Sequence, residues 1–288
     1  MGEAAPNIRY KETPERLKLE FESISQFLNS DFDDSEWDTF LRNAQICSAL
    51  KMGLDMAFHN LNAAINGETL SERLGLIPAQ SRSICYTIPV MEVEKISDFM
   101  KSEKLDRFDW LKIKVNQALA LPMIKEVLSI FPGKVAIDGN EAWTSKEELL
   151  EFVNKLPMDR ILFLEQPFPA SFRSEYQWLA SQSDIEIWGD ESILNEPDPE
   201  FWKSAFSGIN VKLMKAGSFA CAIEMLKVAK NIGLKTMVGC MVETSLGISA
   251  ALSLESLADY MDLDGFLVLK NEPFGILKEK DGMVDWIK

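Results

Sequence analysis

Short apolar runs that end in a charged residue recur through most of this chain. A clear example is Lys134–Asp138, in which Val-Ala-Ile is followed by a carboxylate and then by Gly139 and Asn140. Such a run is typical of a buried parallel strand whose first polar side chain marks the point where the strand leaves the core. The pattern predicts eight strands, near residues 84–90, 109–115, 134–138, 160–165, 185–190, 208–212, 235–239 and 258–264.

Charged residues at five successive strand ends have the spacing of strand–helix units. They are Lys114, Asp138, Glu165, Asp190 and Lys212, separated by 24, 27, 25 and 22 residues. Eight such units predict an α/β fold, a (β/α)8 TIM-type barrel, whose active site lies at the carboxyl ends of the strands. A doubly wound open sheet is the alternative. The chain lacks the glycine-rich phosphate loop of that fold, and an open sheet would not direct five strand ends toward one point.

The first 80 residues follow a helical pattern instead. Thr13-Pro14 predicts the start of one helix, and a second helix follows after Ser35. Apolar residues at steps of three and four then continue from about Phe40 to Ile65, where Gly67 predicts the end of the helix. These helices are predicted to be packing elements.

Composition limits the classes of function. A net charge of −15 argues against a nucleic-acid partner, because phosphate binding needs clustered Lys and Arg. No apolar run approaches the roughly 18 residues of a membrane span, and the first residues lack the parts of a signal peptide. We therefore expect a cytoplasmic protein without a membrane partner. The four cysteines are widely spaced and the only histidine, His59, has no second ligand nearby, so neither zinc nor disulfides are predicted.

The charged strand ends predict a cation site. Asp138, Glu165 and Asp190 stand at three adjacent strand ends and would repel one another unless a cation lay between them. Oxygen ligands without histidine or cysteine favour Mg²⁺, with Mn²⁺ as the alternative. Each carboxylate alone would be interpreted as a solvated strand end, but their recurrence at three consecutive strands argues against that interpretation.

Lysines flank these carboxylates on both sides. Lys112 and Lys114 lie on the second predicted strand and Lys212 lies on the sixth. A lysine close to a metal ion and to another lysine should have a lowered pKa, which makes the neutral amine available as a base. Two such lysines on opposite sides of a substrate would remove a proton from one face of a carbon atom and return it to the other face.

Five short motifs, taken together, resemble those of the enolase superfamily in its muconate-lactonizing-enzyme subgroup. They are Lys112-Ile-Lys114, Asp138-Gly-Asn140, Glu165-Gln-Pro167, Asp190-Glu191-Ser192 and Lys212-Leu-Met-Lys215-Ala-Gly217. Within the subgroup, the segments Met237–Ser245 and Asp262-Leu-Asp264 are most similar to those of the dipeptide epimerases, typified by L-Ala-D/L-Glu epimerase. The resemblance extends from about Met1 to the C-terminus.

The resemblance implies a magnesium-dependent epimerase that acts on the α-carbon of dipeptides by two-base 1,1-proton transfer through an enediolate. The residues that it implies for catalysis are Lys114, Lys212 and Lys112; for the metal, Asp138, Glu165 and Asp190; beside the metal, Asn140 and Glu191. Asp262 and Asp264 would bind the α-ammonium of the substrate, since alternation along a strand puts both on one face. Lys215 and Glu243 complete the substrate-binding residues that it implies.

Two other hypotheses stay open. An N-succinylamino acid racemase, an o-succinylbenzoate synthase or a muconate cycloisomerase-like enzyme would use the same lysines and carboxylates, although a succinyl group offers Asp262 and Asp264 no ammonium to bind. An inactive metal-binding barrel is the other hypothesis. The sequence does not decide which dipeptide is preferred, the pathway, or whether the chain forms a homo-oligomer.

The capping domain of the family is the reason for considering an inactive barrel. Family members begin with a β-meander whose loops close over the barrel mouth, whereas Met1–Pro6 resembles the middle of that cap. We therefore expect a partial, N-terminally truncated α+β cap over residues 1–80, mostly helical, and a barrel over residues 81–288 whose C-terminal segment returns to the cap. We also expect weak or no epimerase activity, and self-association or disorder near residues 1–12.

Overall fold

An eight-stranded parallel barrel forms the centre of the molecule. The structure, a computed structural model, describes residues 1–28 and 32–287. The strands are β1 (Arg82–Ser83), β2 (Tyr86–Ile88), β3 (Trp110–Lys114), β4 (Lys134–Asp138), β5 (Ile161–Glu165), β6 (Ile187–Gly189), β7 (Gly208–Lys212), β8 (Lys235–Gly239), β9 (Tyr260–Asp262), β10 (Leu277–Lys280) and β11 (Met283–Trp286). Strands β2 to β9 pair in sequence order, and the Cys85 amide donates to the Met261 carbonyl at 3.3 Å, so the first and last of them also meet. The predicted barrel and its eight predicted strands are confirmed.

Helices surround the barrel and precede it. They are α1 (Pro14–Ile24), α2 (Asp34–Asn43), α3 (Ser48–Asn66), α4 (Leu70–Arg73), α5 (Val93–Ser102), α6 (Ala120–Ile130), α7 (Lys146–Val153), α8 (Arg173–Gln182), α9 (Pro199–Ala205), α10 (Leu213–Ala216), α11 (Phe219–Asn231) and α12 (Ser245–Leu252). From α5 onward, at least one helix follows each barrel strand up to β8, as the spacing predicts. Among the described residues, no helix is both long enough and apolar enough to cross a membrane.

The inside of the barrel changes from apolar to charged along the strands, because alternate residues point inward. Buried side chains fill the amino-terminal part: Cys85, Trp110, Ala136, Phe163, Trp188 and Met237. Gly208 leaves room for them, since a Cβ atom there would lie 2.4 Å from the Trp188 ring. The residues two positions after four of these side chains are Lys112, Asp138, Glu165 and Asp190. The alternation that builds the core therefore also directs charged side chains toward the barrel mouth.

The N-terminal helices match the predictions except at one break. Thr13 caps α1 through its side chain, and α3 ends at Gly67, whose φ of 70° is left-handed, both as predicted. The prediction of one continuous helix from about residue 40 to 65 is wrong, because α2 ends at Asn43 and α3 begins at Ser48. The apolar pattern hides the break because Ile46, in the connection, also packs against buried residues.

The C-terminal segment forms a small antiparallel sheet with the residues that precede the barrel. Strand β11 pairs with both β10 and β1, and the Ile84 amide donates to the Gly282 carbonyl at 3.0 Å. Since β1 directly precedes β2, this sheet lies near the amino-terminal ends of the barrel strands. Trp286 also lines a small cavity together with Leu70 and Ser71, so the C-terminus reaches the N-terminal helical region. The boundary between a capping domain over residues 1–80 and the barrel domain over residues 81–288 stays a prediction.

A buried carboxylate joins the N-terminal helices to the barrel. Asp55 in α3 is 1% exposed, and it accepts hydrogen bonds from Trp37 Nε1 at 2.8 Å and from the Phe219 amide at 2.7 Å. His59 Nε2 lies 3.4 Å from Asp55 Oδ1. The only histidine therefore lies beside the carboxylate that joins α3 to the barrel.

Replacing Asp55 by alanine should lower the free energy of unfolding by about 2–4 kcal/mol, because two buried N–H groups lose their acceptor. Urea denaturation of the variant would measure this loss. Asp38→Ala is a matched control on the exposed side of α2, and it should change the free energy by less than about 0.5 kcal/mol. Equal effects of the two substitutions would contradict the proposed importance of the Asp55 contacts.

Candidate active site

The barrel mouth contains a cavity of about 750 Å³ at the carboxyl ends of the strands. The predicted site residues that line it are Lys112, Lys114, Asn140, Asp190, Glu191, Lys212, Asp262 and Asp264. Asp138 and Glu165 lie beneath its surface and are 2% and 0% exposed. The structure therefore brings most of the predicted residues to one place.

Lys112 is the centre of the charged cluster. Its Nζ atom lies 2.8 Å from Glu165 Oε2, 2.9 Å from Asp262 Oδ2 and 3.1 Å from Asp138 Oδ2. The ammonium is almost fully buried, so three carboxylates replace its hydration shell. These contacts link strand β3 to β4, to β5 and to β9.

Asp190, just beyond β6, is held by two other lysines. Lys212 Nζ donates to Asp190 Oδ2 at 2.8 Å, and Lys215 Nζ contacts Oδ1 and the Asp190 carbonyl oxygen at 2.5 Å each. Burial would raise the pKa of Asp190, but Lys212 and Lys215 hold it well below its ordinary value. Asp190 is therefore ionised and restrained from two directions.

Lys114 and Lys212 approach the cavity from opposite sides. They end β3 and β7, which are four strands apart in a barrel of eight. Strands four apart in such a barrel lie across its axis from each other. Both side chains line the same cavity, and the strands that carry the three predicted metal ligands lie between them. The geometry allows a molecule between the two lysines to be reached on both faces.

The pKa shifts of the lysines differ in direction. Burial lowers the pKa of Lys212, but Asp190, together with Glu165 and Asp262, outweighs burial and raises it well above its ordinary value. Burial lowers the pKa of Lys215 below its ordinary value. Carboxylates outnumber cations around Lys212, and the lowering predicted for a lysine beside a bound metal ion stays a prediction.

The carboxylates beneath the cavity have the chemistry of a site for a hard cation. Among the described residues, no three Asp, Glu, His or Cys side chains converge in a geometry ready for a metal ion, and Lys112 lies between Asp138 and Glu165. Within the same residues, however, Glu191 Oε2 is buried and accepts no hydrogen bond, and Glu165 Oε2 shares the single ammonium of Lys112 with Asp138 and Asp262. Burial raises the pKa of Glu165 to about 8 and that of Glu191 to about 7. The carboxylates here outnumber the cations beside them, and carboxylate oxygens are ligands that Mg²⁺ prefers.

Asn140 and Glu191 lie beside the predicted metal ligands, as expected. The backbone N–H of Asn140 donates to Asp138 Oδ1 at 3.1 Å, and Asn140 has a left-handed φ of 44°. Glu191 Oε1 pairs with Arg9 of the N-terminal segment. These contacts orient the carboxylate of Asp138 and connect the acidic group to the chain that crosses the barrel mouth.

The buried side-chain amides of two further residues form hydrogen bonds to the predicted metal ligands. Neither residue was among the predicted site residues. Asn210 Nδ2 donates to Glu165 Oε1 at 2.8 Å, and Gln166 Oε1 accepts from the Asp190 amide at 2.8 Å. Asn210 precedes Lys212 by two residues on β7, so strand alternation would have placed both on the same face. Gln166 stands in the motif Glu165-Gln-Pro167 without an assigned role, and strand alternation gives no signal for it because it lies in the connection after β5.

The N-terminal segment lies against the barrel mouth. Residues 6–10 line the cavity, and Arg9 pairs with Glu141 at 2.9 Å. The Glu3 carboxylate accepts from the Thr244 and Gly247 amides at 2.8 Å each, which caps α12. These contacts give residues 3 and 9 partners on the barrel, and the disorder expected near residues 1–12 stays a prediction. Self-association stays a prediction.

Two residues predicted to bind substrate do not line the cavity. Lys215 is 4% exposed and its ammonium is directed to Asp190. Glu243 is 2% exposed, and it accepts from the Met241 amide at 2.8 Å. Burial raises the pKa of Glu243 to about 7. Both residues therefore form buried contacts with residues that do line the cavity, Lys215 with Asp190 and Glu243 with Met241.

The chain is similar to enzymes of known activity along nearly its whole length. A family model described as enolase C-terminal domain-like matches residues 95–270. An L-Ala-D/L-amino acid epimerase of Pedosphaera parvula is 34% identical, over 97% of this chain and 82% of that protein. An enolase family member of Agrobacterium tumefaciens, with homology to dipeptide epimerases and solved with sodium and L-Ala-L-Glu, is 27% identical with a TM-score of 0.86, over 100% of this chain and 86% of the other. A dipeptide epimerase of Methylococcus capsulatus, complexed with Mg and L-Arg-D-Lys, is 26% identical with a TM-score of 0.84, over 100% and 85%.

Proposed function

This chain belongs to the enolase superfamily and is an isomerase, and we propose that it is a magnesium-dependent dipeptide epimerase. The reaction inverts the α-carbon of the C-terminal residue of a dipeptide. Lys114 and Lys212 are the two bases, and each exchanges a proton on one face of that carbon. The names of the relatives support the reaction class, and the residues of this chain support the assignment of roles.

One observation carries this proposal: two lysines reach a single cavity from opposite sides of the barrel. A 1,1-proton transfer needs a base on each face of one carbon atom, because the proton leaves from one side and returns from the other. Lys114 and Lys212 meet this requirement through their positions at the ends of β3 and β7. Lys112, fully charged and buried next to the acidic cluster, would stabilise negative charge on the enediolate.

Asp138, Glu165 and Asp190 are the residues that would hold Mg²⁺. When bound, the cation supplies a Lewis acid that stabilises the negative charge of the enediolate. Asn210 and Gln166 keep two of these ligands in place through the hydrogen bonds that they make. The lysine that removes the α-proton in either direction of the reaction must be a neutral amine. Lys212 therefore has to lose its own proton first, although the carboxylates around it stabilise the protonated form.

Water has to be kept from the reacting carbon during the transfer. Pro6, Ile8, Tyr10 and Val242 contribute the apolar part of the mouth beside the two lysines. Arg9, paired with Glu141, ties this segment to the barrel. The N-terminal segment therefore covers part of the cavity mouth.

A free N-terminus on the substrate should distinguish this function from the N-succinylamino acid racemase hypothesis. We expect the rate of α-proton exchange in D2O, measured by NMR, to be at least about tenfold higher for L-Ala-L-Glu than for N-acetyl-L-Ala-L-Glu, because the cavity offers carboxylates to an ammonium. The matched control is N-succinyl-L-glutamate under the same conditions. Faster exchange of the N-acyl amino acid would favour that alternative, and no exchange with any of the three would favour an inactive barrel.

A further inference from the structure

Two glutamates meet where the N-terminal segment contacts the start of helix α12. The Glu3 carboxylate accepts hydrogen bonds from the amides of Thr244 and Gly247 and from the Thr244 hydroxyl. Glu243 is 2% exposed, and its Oε1 atom accepts from the Met241 amide at 2.8 Å. Its other oxygen, Oε2, is buried and has no hydrogen-bond partner among the described residues. A buried carboxylate oxygen without a donor is costly, so the group that faces it decides the state of Glu243.

Gly247 shows which group faces that oxygen. A Cβ atom at Gly247 would lie 2.4 Å from Glu243 Oε2 and 2.9 Å from Glu3 Oε2, so both oxygens lie on the same side of the glycine. Across residues 1–28 and 32–287, neither glutamate forms an ion pair. Glycine is less favourable than alanine inside a helix, but here it leaves room for two carboxyl groups.

We infer that Glu243 is a positioning residue that keeps a proton and donates it in a hydrogen bond to Glu3. The two side chains form a carboxyl–carboxylate pair that fixes the N-terminal segment over the cavity mouth. When Glu243 loses this proton, two negative charges repel each other at close range and the segment loosens. For its effect on the substrate this inference rests on the proposed function, whereas the pair itself does not.

The hydrogen bonds decide which glutamate carries the proton. Glu3 accepts from three donors at the amino-terminal end of α12, where the helix dipole also favours a negative charge. Glu243 accepts from one donor only, the Met241 amide. A proton on Glu243 turns its unpartnered oxygen into a donor, and Glu3 Oε2 is an acceptor on the same side of Gly247.

The charges around Glu243 agree with this assignment. Burial, together with the charge of Glu3, raises the pKa of Glu243 to about 7, although the Met241 amide and Lys212 act in the opposite direction. Burial raises the pKa of Cys240 well above its ordinary value, so this neighbour is a neutral thiol. Against the effect of burial, hydrogen bonds at the start of α12 lower the pKa of Glu272, so it stays charged. Of these groups, Glu243 is therefore the one that changes its charge near pH 7.

Glu243 is also connected to the cavity mouth through Met241. The Met241 amide donates to Glu243, and the Met241 sulfur accepts from Asn7 Nδ2 at 3.4 Å. Asn7 and Met241 both line the cavity, and Glu3 lies four residues before Asn7. In this arrangement Glu243 supports the N-terminal segment at Glu3 and, through Met241, at Asn7.

Hydrogen–deuterium exchange of residues 1–12 tests the pair without substrate or turnover. Glu243→Gln keeps a neutral donor at every pH, so the wild-type chain and this variant should exchange within about twofold of each other at pH about 6. At pH about 8.5 the wild-type segment should exchange at least about fivefold faster, because only the wild-type chain then carries the second charge. Glu224→Gln, a control on the exposed side of α11, should match the wild-type chain at both pH values.

Titration and unfolding provide a second test of the proton on Glu243. Its carboxyl carbon, assigned in the ¹³C NMR spectrum by its loss in Glu243→Gln, should titrate with a pKa of about 7. A pKa that is raised by folding stabilises the protein at low pH, and this contribution is lost as the pH rises from the ordinary value of 4.5 to about 7. The urea midpoint of the wild-type chain, relative to Glu243→Gln, should therefore fall over this range and level off above it.

Kinetics should separate positioning from chemistry. At pH about 8.5, Glu243→Gln should have a KM for L-Ala-L-Glu about fivefold below that of the wild-type chain and a kcat within about twofold, because Glu243 does not line the cavity. At pH about 6 the two KM values should agree within about twofold. Gly247→Ala should raise KM at both pH values, because the added Cβ atom displaces both carboxyl groups.

Three results would overturn the inference. They are titration of Glu243 near its ordinary pKa, equal exchange of the wild-type chain and Glu243→Gln above pH 8, and exchange that responds to added Mg²⁺ or K⁺ instead of to pH. The last result would indicate a cation between the two glutamates. A lack of epimerase activity would reject the proposed function alone, because neither the exchange of residues 1–12 nor the NMR titration needs turnover.

Discussion

Lys212→Ala should abolish exchange of the α-proton with solvent deuterium from one epimer of L-Ala-Glu and leave measurable exchange from the other. In the proposed mechanism each lysine serves one face of the α-carbon, so the variant would retain only the base on the side of β3. Epimerisation, which needs both bases, should fall by about 10³-fold, the usual contribution of a general base. NMR in D2O, started separately from each epimer, would measure both effects.

Lys114→Ala is the mirror experiment and should show the opposite asymmetry. Lys134→Ala is a matched control, because Lys134 is exposed at the amino-terminal end of β4, away from the cavity. It should exchange both epimers at the wild-type rate. Equal and modest losses from both epimers in Lys212→Ala would contradict a two-base site, and they would indicate that this lysine acts only through Asp190.

Glu165→Gln and Asp190→Asn should each weaken Mg²⁺ binding by about 100-fold or more. Both substitutions keep the size of the side chain and remove one of three predicted ligand charges, so the remaining oxygens bind a divalent cation less well. Calorimetric titration with Mg²⁺ alone would measure the change, independently of any substrate.

The control for this experiment is Asp184→Asn, since Asp184 is exposed in the connection before β6. It removes the same charge from the chain and should leave Mg²⁺ affinity unchanged. Asp190→Asn also removes the partner of Lys212 and Lys215, so its unfolding curve should be compared with that of Glu165→Gln. Unchanged Mg²⁺ affinity in both folded variants would end the assignment of the metal ligands.

The charged residues of the site come from different parts of the chain and contact one another. Lys112 joins carboxylates from β4, β5 and β9, and Arg9 reaches Glu191 from the N-terminal segment. A substitution in one of these residues therefore changes the surroundings of the others.

The sequence by itself determined the barrel and the residues at its strand ends. Apolar runs with a period of two specify strands, and a spacing of 22 to 27 residues specifies one helix between each pair. In β3, the alternation that buries Trp110 also directs Lys112 and Lys114 into the barrel. These properties are local, so they can be recognised without knowing which strands become neighbours.

Tertiary structure alone decided which charges meet. The sequence contains no signal that Lys112 pairs with Asp262, 150 residues away, or that Cys85 holds the same carboxylate. It also does not show that residues 6–10 cover the mouth, because that segment is held by Glu3 and Arg9 through partners that are distant in the sequence. Electrostatic effects depend on distances through space, so the direction of the Lys212 pKa shift follows only from the folded chain.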